Sequence, residues 1–381
     1  GVERCLFGNG KELHFKKLMD FDTIGGKSNK NGARFDLDAM YVNWLGLSLK
    51  CYLPKSENSL SYVWESLKGK ISYCNIKRLM FSSGWRYYAE IVVSGAAPTR
   101  VSIGTSTMGI DPGVSTIAGV SEDACVLEEL APNAIQYEKK IQKISQSMDR
   151  SRRISNPNKY NEDGTINRSN RDPWKYSKNY VKMCRLLKSL YRKKHAYIVD
   201  SHRKLCNKLI TIAKYFPVEK MHFQALQKKA KETRRQEKKT EVKQRDGTVK
   251  VIQKYKRKKR FGRSINRRAP ARFLLELKRK AEAVGGVYAE VDTKEFKASQ
   301  YNHVTDTYEK IPLSQREKEI GKRKVQRDLY SAFLIRNADL DFKHPDREKC
   351  EYEFEHFANM QDQLILKMKE SGLSMRQCFG F

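Results

Sequence analysis

The sequence predicts a mixed α+β or α/β chain: a small antiparallel β-barrel or curled sheet, then a larger domain built on a mixed sheet with helical insertions. Three observations predict it. Residues 1–107 concentrate Val, Ile, Tyr, Trp and Phe in runs separated by turn residues. From residue 108 onward, short apolar strands alternate with stretches of helical spacing. A hydrophobic fraction of 39% with 10% aromatics supplies a core for 381 residues, a length of about two and a half typical domains.

In chain order, the runs 34–53 and 77–95 read as strands, punctuated by turns at Gly25-Gly26, Ser56-Glu57-Asn58 and Ser82-Ser83-Gly84. A strand, a polar Asp-Pro-Gly-Val-Ser turn and a second strand occupy 102–121. Ile135, Ile141, Ile144 and Met148 keep a spacing of three to four and predict a helix, followed by a polar loop over 156–172. Residues 178–215 lack Gly and Pro and predict about 55 Å of helix, read as two helices. A short strand at 215–223 leads to the basic run 228–268. Phe273, Leu274, Leu277 and Ala281 then mark a helix that stops at Gly285-Gly286, before a strand at 287–291 and helices at 329–337 and 352–370.

Charge narrows the partners. Lys and Arg number 76 against 44 Asp and Glu, a formal +32 at pH 7. Such a chain repels itself unless a polyanion neutralises it, and nucleic acid is the common one. No apolar run reaches the roughly 18 residues of a membrane span, and the opening residues GVERCLFGNGKELHF lack the apolar centre of a signal peptide. Eight cysteines, at 5, 51, 74, 125, 184, 206, 350 and 378, form no C-x-x-C pair. They read as buried or incidental thiols in a reducing compartment, not as a zinc finger or a secreted disulfide framework.

Three carboxylates stand apart from the solvated charges. Asp111 ends the apolar strand Met108-Gly109-Ile110, Glu219 ends Phe216-Pro217-Val218, and Asp328 opens an apolar helix. Strand ends of an α/β sheet are where ligands collect. Acids gathered there repel one another unless cations lie between them, and hard oxygen ligands suit Mg²⁺ or Mn²⁺. Two such ions activate a water and stabilise the leaving oxygen of a phosphodiester. By spacing alone, a nuclease triad and three unrelated strand-end acids both stay open.

The run 228–268 carries 19 Lys and Arg against four acids. It reads either as a nucleic-acid clamp or as a solvated linker. Its candidate phosphate contacts are Lys228, Lys229, Arg234, Arg235, Lys256, Arg257, Lys258, Lys259, Arg260, Arg263, Arg267 and Arg268. Trp44, Trp64, Trp85 and Trp174 read as packing residues before base-stacking ones. His222 reads as a bystander before a general base, and Ser115 as a turn residue.

MGIDPGVSTIAGV resembles the first RuvC motif, in which the first strand of an RNase H-like fold carries an Asp. VEKMHFQAL resembles the second, with Glu219 at the catalytic Glu, and VQRDLYSAFLI the third, with Asp328 at the last Asp. Their order and separation resemble the transposon-encoded TnpB family, RNA-guided DNA nucleases related to the type V CRISPR effectors. The resemblance implies a wedge-like, OB-like barrel over 1–107 and a split RNase H-like RuvC nuclease domain over 108–381. It makes Asp111, Glu219 and Asp328 both catalytic residues and ligands of two Mg²⁺ or Mn²⁺ ions. It implies guide RNA and target DNA as partners, transposition as the setting, and a prokaryotic, nucleoid-associated cytoplasmic location without membrane. The alternatives it leaves are a non-cutting RNA-guided repressor or scaffold and an unguided transposase or resolvase.

Two departures shape these expectations. The family carries a zinc ribbon between its second and third motifs, but Asn302 and Thr305 stand where its first Cys pair aligns, and no Cys lies between Cys206 and Cys350. The insert at about 292–327 is therefore expected to be metal-free, with no zinc. The family's helical recognition lobe has no counterpart before the barrel, so on the order of 100 upstream residues are expected in the native gene.

Neutralising six to ten cations of the basic run should flatten the dependence of nucleic-acid affinity on salt. The slope should fall by roughly 0.7–0.9 for each phosphate that is no longer neutralised. Filter binding across a salt series checks it, and an unchanged slope would assign the run to a linker.

Overall fold

A computed structural model of the chain describes residues 21–372, apart from 96, 163, 228–234, 244–248, 256–260 and 313. The strand and turn expected at 6–17 lie outside the described residues. The chain divides into two compact units, residues 1–98 with 136–195, and residues 99–135 with 196–381. Among the described residues, no helix is long and apolar enough to cross a membrane.

The first unit opens with β1 (Thr23–Gly25), β2 (Arg34–Asp36), β3 (Tyr41–Trp44), β4 (Leu47–Lys50), α1 (Glu57–Leu67), β5 (Ile71–Phe81) and β6 (Gly84–Val93). These strands make two antiparallel three-stranded sheets, β1-β5-β6 and β2-β3-β4. Ala33, Phe35, Val42, Leu67 and Cys74 form the core between them. The expected barrel is corrected here: among the described residues the strands close no barrel. Closure needs strands long enough to tilt and stagger around an axis, and β1 to β4 are each only 3 or 4 residues long. The segment 56–58, expected as a turn, starts α1 instead. Ser56 keeps an extended backbone at the N-cap, and Leu60, Val63 and Leu67 follow at helical spacing.

Most of α2 (Ala134–Ser155) and the first half of α3 (Lys178–Ile212) also belong to this unit. α3 is one helix of 35 residues where two were expected. Nothing in it breaks the backbone ladder, since Gly and Pro are both absent. Between the helices, Asn156 is buried and ties the polar loop together. It accepts from the Lys175 backbone N–H at 2.7 Å and donates to the Arg152 and Lys175 carbonyls. Trp174 packs edge-on against Tyr160 within the same loop.

The second unit holds β7 (Ser106–Thr107), β8 (Gly109–Pro112), β9 (Thr116–Val120), β10 (Cys125–Glu129), β11 (Ala213–Glu219), α4 (Phe223–Gln227), β12 (Arg235–Lys243), β13 (Val249–Tyr255), α5 (Gly262–Arg268), α6 (Pro270–Ala283) and β14 (Val287–Val291). β10 has no counterpart in the sequence reading, because its five residues carry two acids and hide the alternation. The main sheet runs β10-β9-β8-β11-β14. β8, β9 and β10 form an antiparallel meander, and β11 lies parallel to both β8 and β14. The basic run is not featureless: β12 and β13 pair as an antiparallel hairpin ahead of α5.

Strand alternation assigns the two faces of this sheet. Met108, Ile110, Ile117, Val126, Phe216 and Val218 face α3 and α6, meeting Leu205, Leu209, Phe273 and Leu277. Ala118, Val120, Leu127 and Val291 face the other way. That second face is covered by α8 (Arg327–Arg336) and α9 (Arg347–Glu370), after α7 (Thr293–Phe296) and two hairpins, β15 (Tyr301–Asn302) with β16 (Thr307–Tyr308) and β17 (Glu317–Ile320) with β18 (Arg323–Gln326). The 292–327 insert enters this core through Phe296, Ala298, Tyr301, Ile320 and Val325. Its His303 is buried, bonds the Tyr330 hydroxyl at 2.7 Å, and burial holds its pKa down to about 4, so it packs as a neutral ring.

α8 lies directly on β8 at Gly109. A Cβ there would overlap the Ala332 carbonyl oxygen and the Arg336 backbone nitrogen, so only glycine allows this approach. Gly109→Ala should therefore lower stability by about 3 kcal/mol, since main-chain atoms have to move. Gly119→Ala in β9 should be milder, because its nearest neighbour is the flexible Met108 side chain. Urea midpoints of the two variants check the ranking, and equal midpoints would contradict it.

Candidate active site

Register and alternation bring the acids together. Ile110 pairs with Val218 across β8 and β11, and both point to the α3 face. The next residue in each strand, Asp111 and Glu219, therefore turns to the opposite face. Asp111 sits across from Ala118, and Glu219 across from Val291, both of which belong to the core under α8. Asp328 stands in the first turn of α8, one helical turn before the Ala332 that meets Gly109. Three distant parts of the chain thus meet at one sheet end.

The electrostatics follow from that meeting. Burial, then the charges of Glu219 and Asp328, push the Asp111 carboxyl well above its ordinary range, with Arg327 opposing. Burial also raises Glu219, and Asp328 adds to it, while hydrogen bonds with Asp111 and the Thr293 hydroxyl work against the rise. Asp111 and Glu219 share a hydrogen bond, which raises the first and lowers the second. Burial and mutual repulsion thus hold both carboxyls above their ordinary range. The Thr293 hydroxyl also lies 2.6 Å from the Lys220 carbonyl oxygen, and its single hydrogen goes to one of the two acceptors at a time.

Asp328 is neutralised differently. Arg327 donates to its Oδ1 from Nη2 at 2.9 Å and from Nε at 3.1 Å, and Arg316 Nη1 reaches its Oδ2 at 3.4 Å. Sequence reasoning missed Thr293, Arg316 and Arg327. Arg327 had a local signal, a charged residue placed between two apolar-flanked polar ones. Thr293 and Arg316 had none.

The donor set is all carboxylate, which suits a hard divalent ion and not zinc. Asp111 and Glu219 fit such an ion as an adjacent pair whose mutual repulsion a cation would relieve. Among the described residues, no group of three or more His, Cys, Asp or Glu is set to hold a metal as it stands. At this site the third acid is engaged by guanidinium donors instead.

The other candidates lie elsewhere or are otherwise occupied. His222 is exposed and lines a shallow pocket with Met221, Phe223 and Ala271. Arg263 is exposed on α5, while Arg267 is half-buried. Arg268 pairs with Glu129, and burial lowers its pKa. Arg235 begins β12, and nothing is described of its side chain. Lys228, Lys229, Arg234, Lys256, Arg257, Lys258, Lys259 and Arg260 lie outside the described residues.

No family model and no curated protein matches this chain. Among solved structures, it is similar to a chain of the "Cryo-EM structure of CRISPR-Cas12f Ternary Complex", at 14% identity and a TM-score of 0.33. The match covers 83% of this chain and 51% of that one, so this chain spans about half the length of the chain it matches. A likeness at that score is loose and bears on neither the site nor its activity.

The raised pKa of Asp111 has a pH consequence. A folded-state pKa above the unfolded one contributes stability in full below the unfolded value, and loses it as pH rises through the folded value. In chelator, the wild-type chain should therefore lose stability as pH climbs from the ordinary carboxylate range through the raised value of Asp111. Asp111→Asn should flatten that decline and melt higher than wild type at the alkaline end. Melting curves across pH check this, and parallel profiles for the two proteins would count against it.

Proposed function

We propose that the chain is a metal-dependent DNA endonuclease of the TnpB type, guided by RNA and belonging to a transposable element. One observation carries the reading: Asp111, Glu219 and Asp328 meet on one face of a mixed sheet ordered β10-β9-β8-β11-β14. An antiparallel meander extended by parallel strands is the RNase H-like arrangement that the three motifs imply. The formal charge of +32 supports a polyanionic partner.

Asp111, Glu219 and Asp328 would hold two Mg²⁺ or Mn²⁺ ions, which when bound activate a water and neutralise the leaving oxygen of a phosphodiester. The rest falls to the chain itself. Asp111 and Glu219, whose carboxyls are raised by burial and mutual repulsion, would hold the ions as carboxylates. Asp328 gives up its guanidinium donors, and those donors suit a phosphate equally well. The Thr293 hydroxyl lies within hydrogen-bond reach of the Glu219 carboxyl. Lysines and arginines hold the backbone, while sequence choice comes from base pairing with the guide.

The grip of Arg316 and Arg327 on Asp328 favours a second reading, a guided DNA-binding protein that does not cut. Metal-dependent cleavage separates the two. Asp111→Ala, Glu219→Ala and Asp328→Ala should each abolish cutting of a matched target in Mg²⁺. Nucleic-acid affinity should stay within a few-fold, because it comes from many phosphate contacts. RNA recovered with the purified chain should be one defined species. Wild-type cutting rates in Asp111→Ala would sink the assignment, and a wild-type chain that binds its target without cutting would establish the second reading.

A further inference from the structure

We infer that Arg316 and Arg327 act as a built-in cation at Asp328, positioning residues that hold the third acid before a divalent ion arrives and compete with that ion for it. The inference rests on the metal-site reading above. Its basis is geometric: both oxygens of Asp328, the atoms that a cation would bind, already accept from guanidinium donors. Oδ1 takes Arg327 at 2.9 and 3.1 Å, and Oδ2 takes Arg316 at 3.4 Å. Without them, Asp328 would face Asp111 and Glu219 as an unneutralised acid.

The two arginines play unequal parts. The Arg327 side chain is 10% exposed, and its Nη1 also donates to the Gln315 carbonyl at 3.2 Å. It therefore fastens the segment ahead of β17 to the start of α8 while it neutralises Asp328. The Arg316 side chain is 46% exposed and makes the longer contact. It is the looser half of the grip. A guanidinium stays charged at any working pH, and its planar fork matches a carboxylate.

Competition has a sign that mere structural damage does not share. Removing an arginine that only supports the fold weakens metal binding, whereas removing a competitor tightens it. Calorimetric titration of the full chain with Mn²⁺ alone reads this directly. Arg316→Gln should bind Mn²⁺ about three- to fivefold more tightly than wild type, the scale of one half-exposed ion pair. Arg327→Lys keeps the charge but loses the fork, and should tighten binding as well. Arg323→Gln removes an equal charge from a pair with Glu355, and should leave affinity within twofold. Asp328→Asn should weaken it. Unchanged or weaker binding in both Arg316→Gln and Arg327→Lys, or equal tightening in Arg323→Gln, overturns the inference while the metal site stands. A wild-type chain that binds no Mn²⁺, or an Asp328→Asn chain that binds as wild type, overturns the metal-site reading and this inference with it.

Discussion

The main-chain contact of α8 with β8 at Gly109 is the constraint on which the second unit depends. Helices normally ride on a sheet at a distance set by the side chains between them. Here the absent side chain of Gly109 lets the strand meet the Ala332 carbonyl and the Arg336 amide directly. That closeness sets the height of the first turn of α8 above the strand end. It is why Asp328 reaches the carboxyls of Asp111 and Glu219 from a different part of the chain. The aromatic cluster of Tyr330, Phe333, Phe354 and Phe357 then locks the helix in that seat.

Gathering three acids at a buried sheet end is costly unless their charge is cancelled. The chain cancels it in two chemically different ways. For Asp111 and Glu219, burial and mutual repulsion raise the carboxyl pKa values and so favour the neutral form. Two guanidinium groups answer the charge on Asp328. The insert contributes to this balance, because Arg316 comes from it and Arg327 is tied through the Gln315 carbonyl to the segment ahead of β17.

Among the described side chains of the β12–β13 hairpin, Glu237, Glu241, Val249 and Val251 are exposed. Arg268 shows the opposite tendency in the same basic run, since it turns inward to Glu129. A cation in a basic run is thus not automatically a surface cation, and burial has to be read residue by residue.

What was legible in the sequence was local. An acid closing an apolar run marked Asp111 and Glu219, an acid opening an apolar helix marked Asp328, and the spacing of Leu187, Leu190, Leu205 and Leu209 marked a long helix. Strand alternation follows from the bond geometry of each residue and needs no knowledge of partners. The rest depended on pairing between distant segments, which local patterns do not encode. The β-rich start predicted strands, but which strands pair, and that they form two short sheets among the described residues, was decided by length and register. The strand β10 was masked by its own acids, and α1 was taken for a turn because Ser and Asn suit both. The side-by-side seating of Asp111 and Glu219 required the Ile110–Val218 register, and the grip of Arg316 on Asp328 required the insert to fold back over α8. Residue chemistry and periodicity were determined by the sequence alone. Which charges meet, and what neutralises them, was decided only by the tertiary structure, because electrostatic partners are set by distance in space and not by separation along the chain.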